Sequence, residues 1–395
     1  MGAALAVSLV GLSLGQKFVG TGGDTAAQAP QAPSFEVDPF WPQPLGNEWI
    51  LGNVIGVAID ERDHVFIVHR AGGEGIFGQR NEVGLLTGVS ICCTPAPPII
   101  EFDPAGNVVN AWGGAVEGAP YTWPSSNHGI EIDHHGNIWI GGNGGGDSHI
   151  LKFTRDGEFL EQLGTPGIRE PDSNNTTHFS RVAEISVVAE TNEAFVSDGY
   201  GNKRIAVLDA TTGEFKRYWG AYGNTPVDPT ERYRYSPDKP ANPQFTGPVH
   251  CAQPSNDGLL YVCDRGDDRI QVFKQDGTFM FEKVIMPETL SQGSTWDISF
   301  STDMDQKYLY LADGQNQRVY ILLRENLEML TMFGGGGRQP GLWFAPHSIA
   351  TDSKGNIYTT ETYEGKRIQK FVYKGLKDIP ADDQGPLWPA GELHN

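Results

Sequence analysis

The chain has 395 residues, 38% of them hydrophobic and 20% charged, enough apolar material for one large domain or two ordinary ones. Fifty glycines and 26 prolines predict many turns and an all-β chain. A net charge of −20, spread without an acidic run, argues against nucleic acid or an anionic membrane surface as the main partner.

In chain order, Ala3 to Leu14 (AALAVSLVGLSL) is an apolar run too short to span a bilayer comfortably, followed by the small-residue stretch TAAQAPQAP. Residues 1–34 are therefore read as a signal-like segment and flexible linker, and the protein as exported to a periplasmic or extracellular space. No Lys or Arg precedes the run and Pro30 follows Ala27-Gln28-Ala29, so an uncleaved anchor or a disordered tail also fits. Residues 35–395 are read as a propeller with a C-terminal tail.

From residue 55 onward one unit recurs: an alternating strand, a turn rich in Asp, Asn or Gly, a second strand, then a third. Six copies begin at IGVAIDERDHVFIVHR (55–70), HGIEIDHHGNIWIGGN (128–143), AEISVVAETNEAFVSDGY (183–200), HCAQPSNDGLLYVCDR (250–265), WDISFSTDMDQKYLYLADG (296–314) and HSIATDSKGNIYTTETY (347–363). Helical periodicity is absent at any useful length. Six such units predict a six-bladed, NHL-like β-propeller, with FEVDPFW (35–41) completing the last blade. The segments 71–98 and 221–246 are longer than plain connections, and loops of that length often carry function. Cys92 and Cys93 are adjacent in a Pro-rich loop. Cys251 and Cys263 flank a predicted hairpin, where a cross-strand disulfide or two free thiols both fit.

The first position of each repeat holds Ile55, His128, Ala183, His250, Trp296 and His347, with Glu184 replacing Ala183 if the register slips by one. Alternate blades lie about 120° apart in a radial repeat, so His128, His250 and His347 should converge near the axis at the channel mouth. Three histidines with an open fourth position make a zinc arrangement suited to hydrolytic or lyase chemistry. The competing reading is that each lines a wet channel. A second ring at the end of the second strand holds Arg70, Asn143, Gly199, Arg265, Gly314 and Thr362, with Tyr200 and Tyr363 one place on. Two arginines and a tyrosine over a metal could bind a carboxylate and move a proton. Asp264, a strand-ending acid of the repeat, is read as structural.

These residues resemble the peptidyl-α-hydroxyglycine α-amidating lyases, most clearly at VFIVHR, HGIEIDHHGNIWI, VSDGYGNKRI, VCDRGDDRIQVF and PHSIATDSKGNIY. The resemblance runs from about residue 35 to 375. It implies a zinc held by His128, His250 and His347, Arg70 beside the substrate hydroxyl or carboxylate, Tyr200 as general base in its tyrosinate form, and Arg265 in electrostatic support. Zinc acting as Lewis acid on the α-hydroxyl would lead to loss of the amide nitrogen, giving a carboxamide and glyoxylate. The chain departs from the family pattern in having Ala345 where a methionine is expected and Ser348 where an aspartate binds calcium. Gly201 and Tyr261 stand where the family has cysteines. The other implied calcium ligands are the carbonyls of Val57 and Ile130, and loss of the acidic ligand weakens that site. With the propeller using the whole chain, the resemblance implies a separate upstream hydroxylating enzyme and a small-molecule or peptide C-terminal substrate. A metal-dependent hydrolase with a related pocket and a non-catalytic NHL-type binding propeller are the alternatives.

Overall fold

The computed structural model describes residues 31–71, 93–228, 233–378 and 383–389. The apolar segment 3–14, Cys92 and parts of both long loops lie outside them. The described chain is a six-bladed β-propeller in which each blade is a four-stranded antiparallel sheet. Its described residues contain two short 3-10 turns, Ala221–Gly223 and Arg265–Asp267, and no helix long and apolar enough to cross a membrane.

The innermost strands of blades 1 to 6 are Val54–Ile59, Asn127–Ile132, Glu184–Val188, Val249–Pro254, Asp297–Phe300 and Pro346–Thr351. Second strands are buried on both faces, as in Val65–His69, Glu193–Asp198 and Tyr308–Asp313, and so read as continuous apolar runs. The outermost strands, such as Phe215–Trp219, keep an alternating half-exposed pattern because only one face is covered. Buried apolar side chains gather in six clusters, one at each blade interface. The cluster of Trp41, Phe102, Tyr358 and Ile368 joins blade 6 to blade 1, and that of Phe35, Tyr310, Phe333 and Phe371 joins blade 5 to blade 6.

Closure differs from the sequence expectation in its bounds. The closing strand is Gln31–Asp38, not residues 35–41, and it pairs antiparallel with Ile368–Asp378 from Gln31 opposite Asp378 to Asp38 opposite Lys370. The propeller thus begins four residues before the expected boundary. Pro33 is tolerated because this is an outer edge strand, where a missing N–H costs no ladder bond on the open side. Trp41 lies beyond the strand, with its ring centroid 4.9 Å from that of Tyr358.

Strand ends are tied by buried ion pairs. Asp198 accepts from Arg204 at 2.9 Å and Asp264 from Arg269 at 2.8 Å, all four nearly or wholly removed from solvent. Asp264 thus has the structural role read from the repeat. Cys251 and Cys263 face each other on adjacent strands of blade 4 and are bridged, with Cα atoms 4.9 Å apart.

Candidate functional site

The register left open between Ala183 and Glu184 is resolved by hydrogen bonding. His128 Nδ1 donates to the carbonyl of Ala183 (2.6 Å), His250 Nδ1 to that of Trp296 (2.5 Å) and His347 Nδ1 to that of Ile55 (2.6 Å). Each histidine is therefore clamped by the first-position carbonyl of the next blade, and the three blades without histidine supply the three acceptors. With Nδ1–H spent on a carbonyl, the Nε2 lone pair is the one left to face the axis.

The rings form a near-equilateral triangle with centroids 4.8, 4.9 and 5.1 Å apart. One ligand nitrogen from each lies within 4.8 Å of the other two. All three side chains are buried. Burial holds His128 and His250 well below the ordinary histidine range, with His347 and Arg70 adding to the effect on His128, and Arg265 to that on His250. Burial, then Arg265 and Arg70, pushes His347 down to about 3. Three neutral imidazoles with converging lone pairs are a donor set that could hold a metal ion, which requires deprotonated nitrogen.

The tyrosine and arginines expected at this mouth are brought to it. Tyr200 Oη lies 2.9 Å from His128 Nε2 and 3.1 Å from His250 Nε2, and accepts from Arg265 Nη1 at 3.3 Å. The Arg265 guanidinium is stacked 4.5 Å from the Trp296 ring centroid, which fixes its plane. Arg70 donates to the carbonyl of Asn127 at 3.3 Å and to Asn143 Oδ1 at 3.0 Å. Burial draws its pKa down, opposed by Tyr200, Tyr363 and Asp147. Tyr363, considered with Tyr200 on sequence grounds, instead donates to Gln292 Oε1 at 2.9 Å. Ala345 adopts a left-handed φ of 54° and donates its N–H to Gln317 Oε1 at 2.6 Å.

One layer down the axis, Val57 and Ile130 border a small cavity with Ser348, as the calcium expectation requires. Sequence reasoning missed its buried acid Asp297 and named the partly buried Glu184 only as an alternative to Ala183. They occupy the second position of repeats three and five, so aligning that position as well as the first would have found them. Glu184 accepts from the Ala252 amide and Gln253, Asp297 from the Ile298 and Ile349 amides, and Ser348 Oγ donates to the Ile55 carbonyl. Burial raises both carboxyls, Asp297 to about 7. Each carboxylate oxygen accepts one hydrogen bond from the protein and keeps lone-pair capacity, so Glu184 and Asp297 with the Val57 and Ile130 carbonyls form an oxygen donor set that could hold a hard cation. No chemistry is assigned to it.

No family model matches the chain. Over 359 residues it is 25% identical to peptidyl-glycine alpha-amidating monooxygenase B of Xenopus laevis, covering 85% of this chain and 35% of that protein. The chain therefore spans about a third of that relative's length. It is 24% identical to NHL repeat-containing protein 3 of Mus musculus, covering 86% of this chain and 84% of that protein. It is 26% identical over 226 residues to a probable peptidyl-alpha-hydroxyglycine alpha-amidating lyase of Caenorhabditis elegans, covering 56% of each. Its distant homologues are thus amidating enzymes and NHL-repeat proteins.

Proposed function

We propose that this propeller is a zinc-dependent lyase that cleaves the C–N bond of a peptidyl- or acyl-α-hydroxyglycine-like substrate, releasing an amide and glyoxylate. The observation that carries the reading is the Tyr200 hydroxyl poised 2.9 and 3.1 Å from two of three converging imidazole nitrogens with Arg265 behind it. A phenol in that position could accept a proton at a metal centre, which supports this reading over plain channel lining. The likeness to amidating enzymes in two animals supports the same chemistry.

His128, His250 and His347 would hold the ion, each kept in the right tautomer by a carbonyl. The chemistry zinc supplies at such a centre is Lewis-acid polarisation of an oxygen. Tyr200 takes the proton of the substrate's α-hydroxyl. The carbon–oxygen bond becomes a carbonyl as the carbon–nitrogen bond breaks, the electron pair leaves with nitrogen, and nitrogen regains a proton from Tyr200. Arg265, held by Trp296, donates to the phenolic oxygen and fixes its position. Arg70, partly buried and anchored by Asn143, would place its guanidinium beside the substrate carboxylate. Zinc supply, export and an upstream hydroxylating enzyme belong to the same proposal.

The test is glyoxylate release from α-hydroxyhippurate by purified, zinc-loaded protein. Enzymatic release above the uncatalysed rate is the expected result. Its absence with zinc bound would favour a binding propeller, the second reading, which draws on the match across most of NHL repeat-containing protein 3.

A further inference from the structure

A cavity of about 1040 Å³ opens beside the proposed site, with Tyr200 forming part of its wall. That is at the upper end of small-ligand pockets. Gly247 and Pro248, just upstream of His250, and Gly266, just after Arg265, line the same space, so it adjoins the proposed catalytic groups.

Besides the exposed Arg234, two cations border it, Arg181 and Lys203. Both are partly buried, and among the described residues neither has an ion-pair partner within 4 Å. Arg181 Nε is buried without a hydrogen bond. The acids nearest Lys203 are already engaged: Asp264 with Arg269 and the Gly247 amide, Asp228 with Ser173. Burial lowers the Lys203 pKa, and Arg181 adds to that against Asp264 and Asp228. Partly buried cations without partners are costly to keep.

The backbone makes room for this arrangement. Arg181 holds a left-handed φ of 63°, and its carbonyl accepts the Tyr200 N–H at 3.2 Å, which ties the cation to the proposed base. A Cβ on Gly247 would lie 2.3 Å from Lys203 Nζ, so a side chain there would displace the ammonium from its present place.

We infer that Arg181 and Lys203 form a second anion subsite, which selects substrates whose acyl part carries a carboxylate of its own in addition to that of the hydroxyglycine. The inference rests on the lyase reading for the reacting half of the substrate. The cavity and its two cations, without ion-pair partners among the described residues, specify the other half. A carboxylate there would accept charge-assisted hydrogen bonds from both.

The experiment compares α-hydroxyhippurate with its para-carboxy analogue, and benzoate with terephthalate as non-reacting probes. For the wild-type protein, kcat/KM should be at least about tenfold higher for the carboxylated substrate, and terephthalate should raise Tm more than benzoate does. The Arg181→Met/Lys203→Met protein should lose both preferences, with the change in KM. If that protein misfolds, Lys203→Met alone should weaken the preference and Lys203→Arg retain it. Equal kcat/KM for the two substrates, or a preference unchanged in the variants, would overturn the subsite. If neither substrate is cleaved but the terephthalate shift depends on Arg181 and Lys203, the subsite stands and the lyase reading falls. If α-hydroxyhippurate is cleaved and terephthalate acts no differently from benzoate, the subsite falls and the lyase reading stands.

Discussion

A Cβ placed on Gly199 would lie 2.1 Å from the carbonyl oxygen of Val249. Gly199 immediately precedes Tyr200, and Val249 immediately precedes His250. The bare backbone at Gly199 is what lets blade 3 lie against the strand that carries the second histidine. Gly199→Ala must push the two apart, an overpacking that costs about 1–3 kcal/mol. We predict a lower Tm and weaker zinc retention during dialysis against a mild chelator. Unchanged zinc retention would show that the contact does not set the His250 position.

Tyr200→Phe removes one oxygen and leaves the ring packed against His128, at 4.9 Å between centroids. If the hydroxyl takes the substrate proton, kcat should fall by about 10²–10⁴-fold while metal content stays at the wild-type level. A fall of less than about tenfold would remove Tyr200 as the base.

The Cys251–Cys263 bridge closes a short loop, with a sequence separation of 12, on the strand that follows His250. Loop-closure arguments give such a bridge about 3 kcal/mol. Cys251→Ala/Cys263→Ala should therefore lower the urea midpoint and the extrapolated stability by roughly that amount. An unchanged midpoint would mean that the hairpin is held by its sheet contacts alone.

Asp268 supplies a pH dependence. Its Oδ1 accepts the Ser294 N–H at 2.7 Å, but Oδ2 is buried without a partner. Burial raises its pKa to about 8, against the Ser294 hydrogen bonds. Between roughly pH 4 and 8 the folded chain holds a proton that the unfolded chain releases. The stability this gives is present in full below that window and is lost as pH rises through it. Asp268→Asn keeps the acceptor to Ser294, tolerates the left-handed φ of 55° and does not titrate. Its Tm relative to wild type should rise steadily from pH 4.5 to pH 8. A constant difference would show that Asp268 is ionised in the fold.

The parts legible in the sequence were those that repeat. Blade number followed from the alternating strands and their turns, and the three histidines from a shared repeat position, because radial symmetry turns equal position into convergence. The start of the closing strand was missed because Pro33 resembles linker composition, although an edge strand accepts it. Asp297 was missed, and Glu184 named only as an alternative to Ala183, because both sit one residue beyond the aligned ring, where strand alternation sends side chains elsewhere. Arg181 lies just before the first strand of blade 3 and Lys203 between its second and third strands, and their meeting over one cavity depends on backbone geometry that no spacing rule encodes. Ala345 remains without a structural account as a substitute for methionine.

The most direct test of the central claim is the metal content of purified protein by plasma emission spectrometry, wild type beside His250→Ala. The account predicts about one zinc per chain in the wild type and its loss in the variant. No transition metal in either protein, or equal zinc in both, would contradict it and leave the three histidines as the lining of the channel.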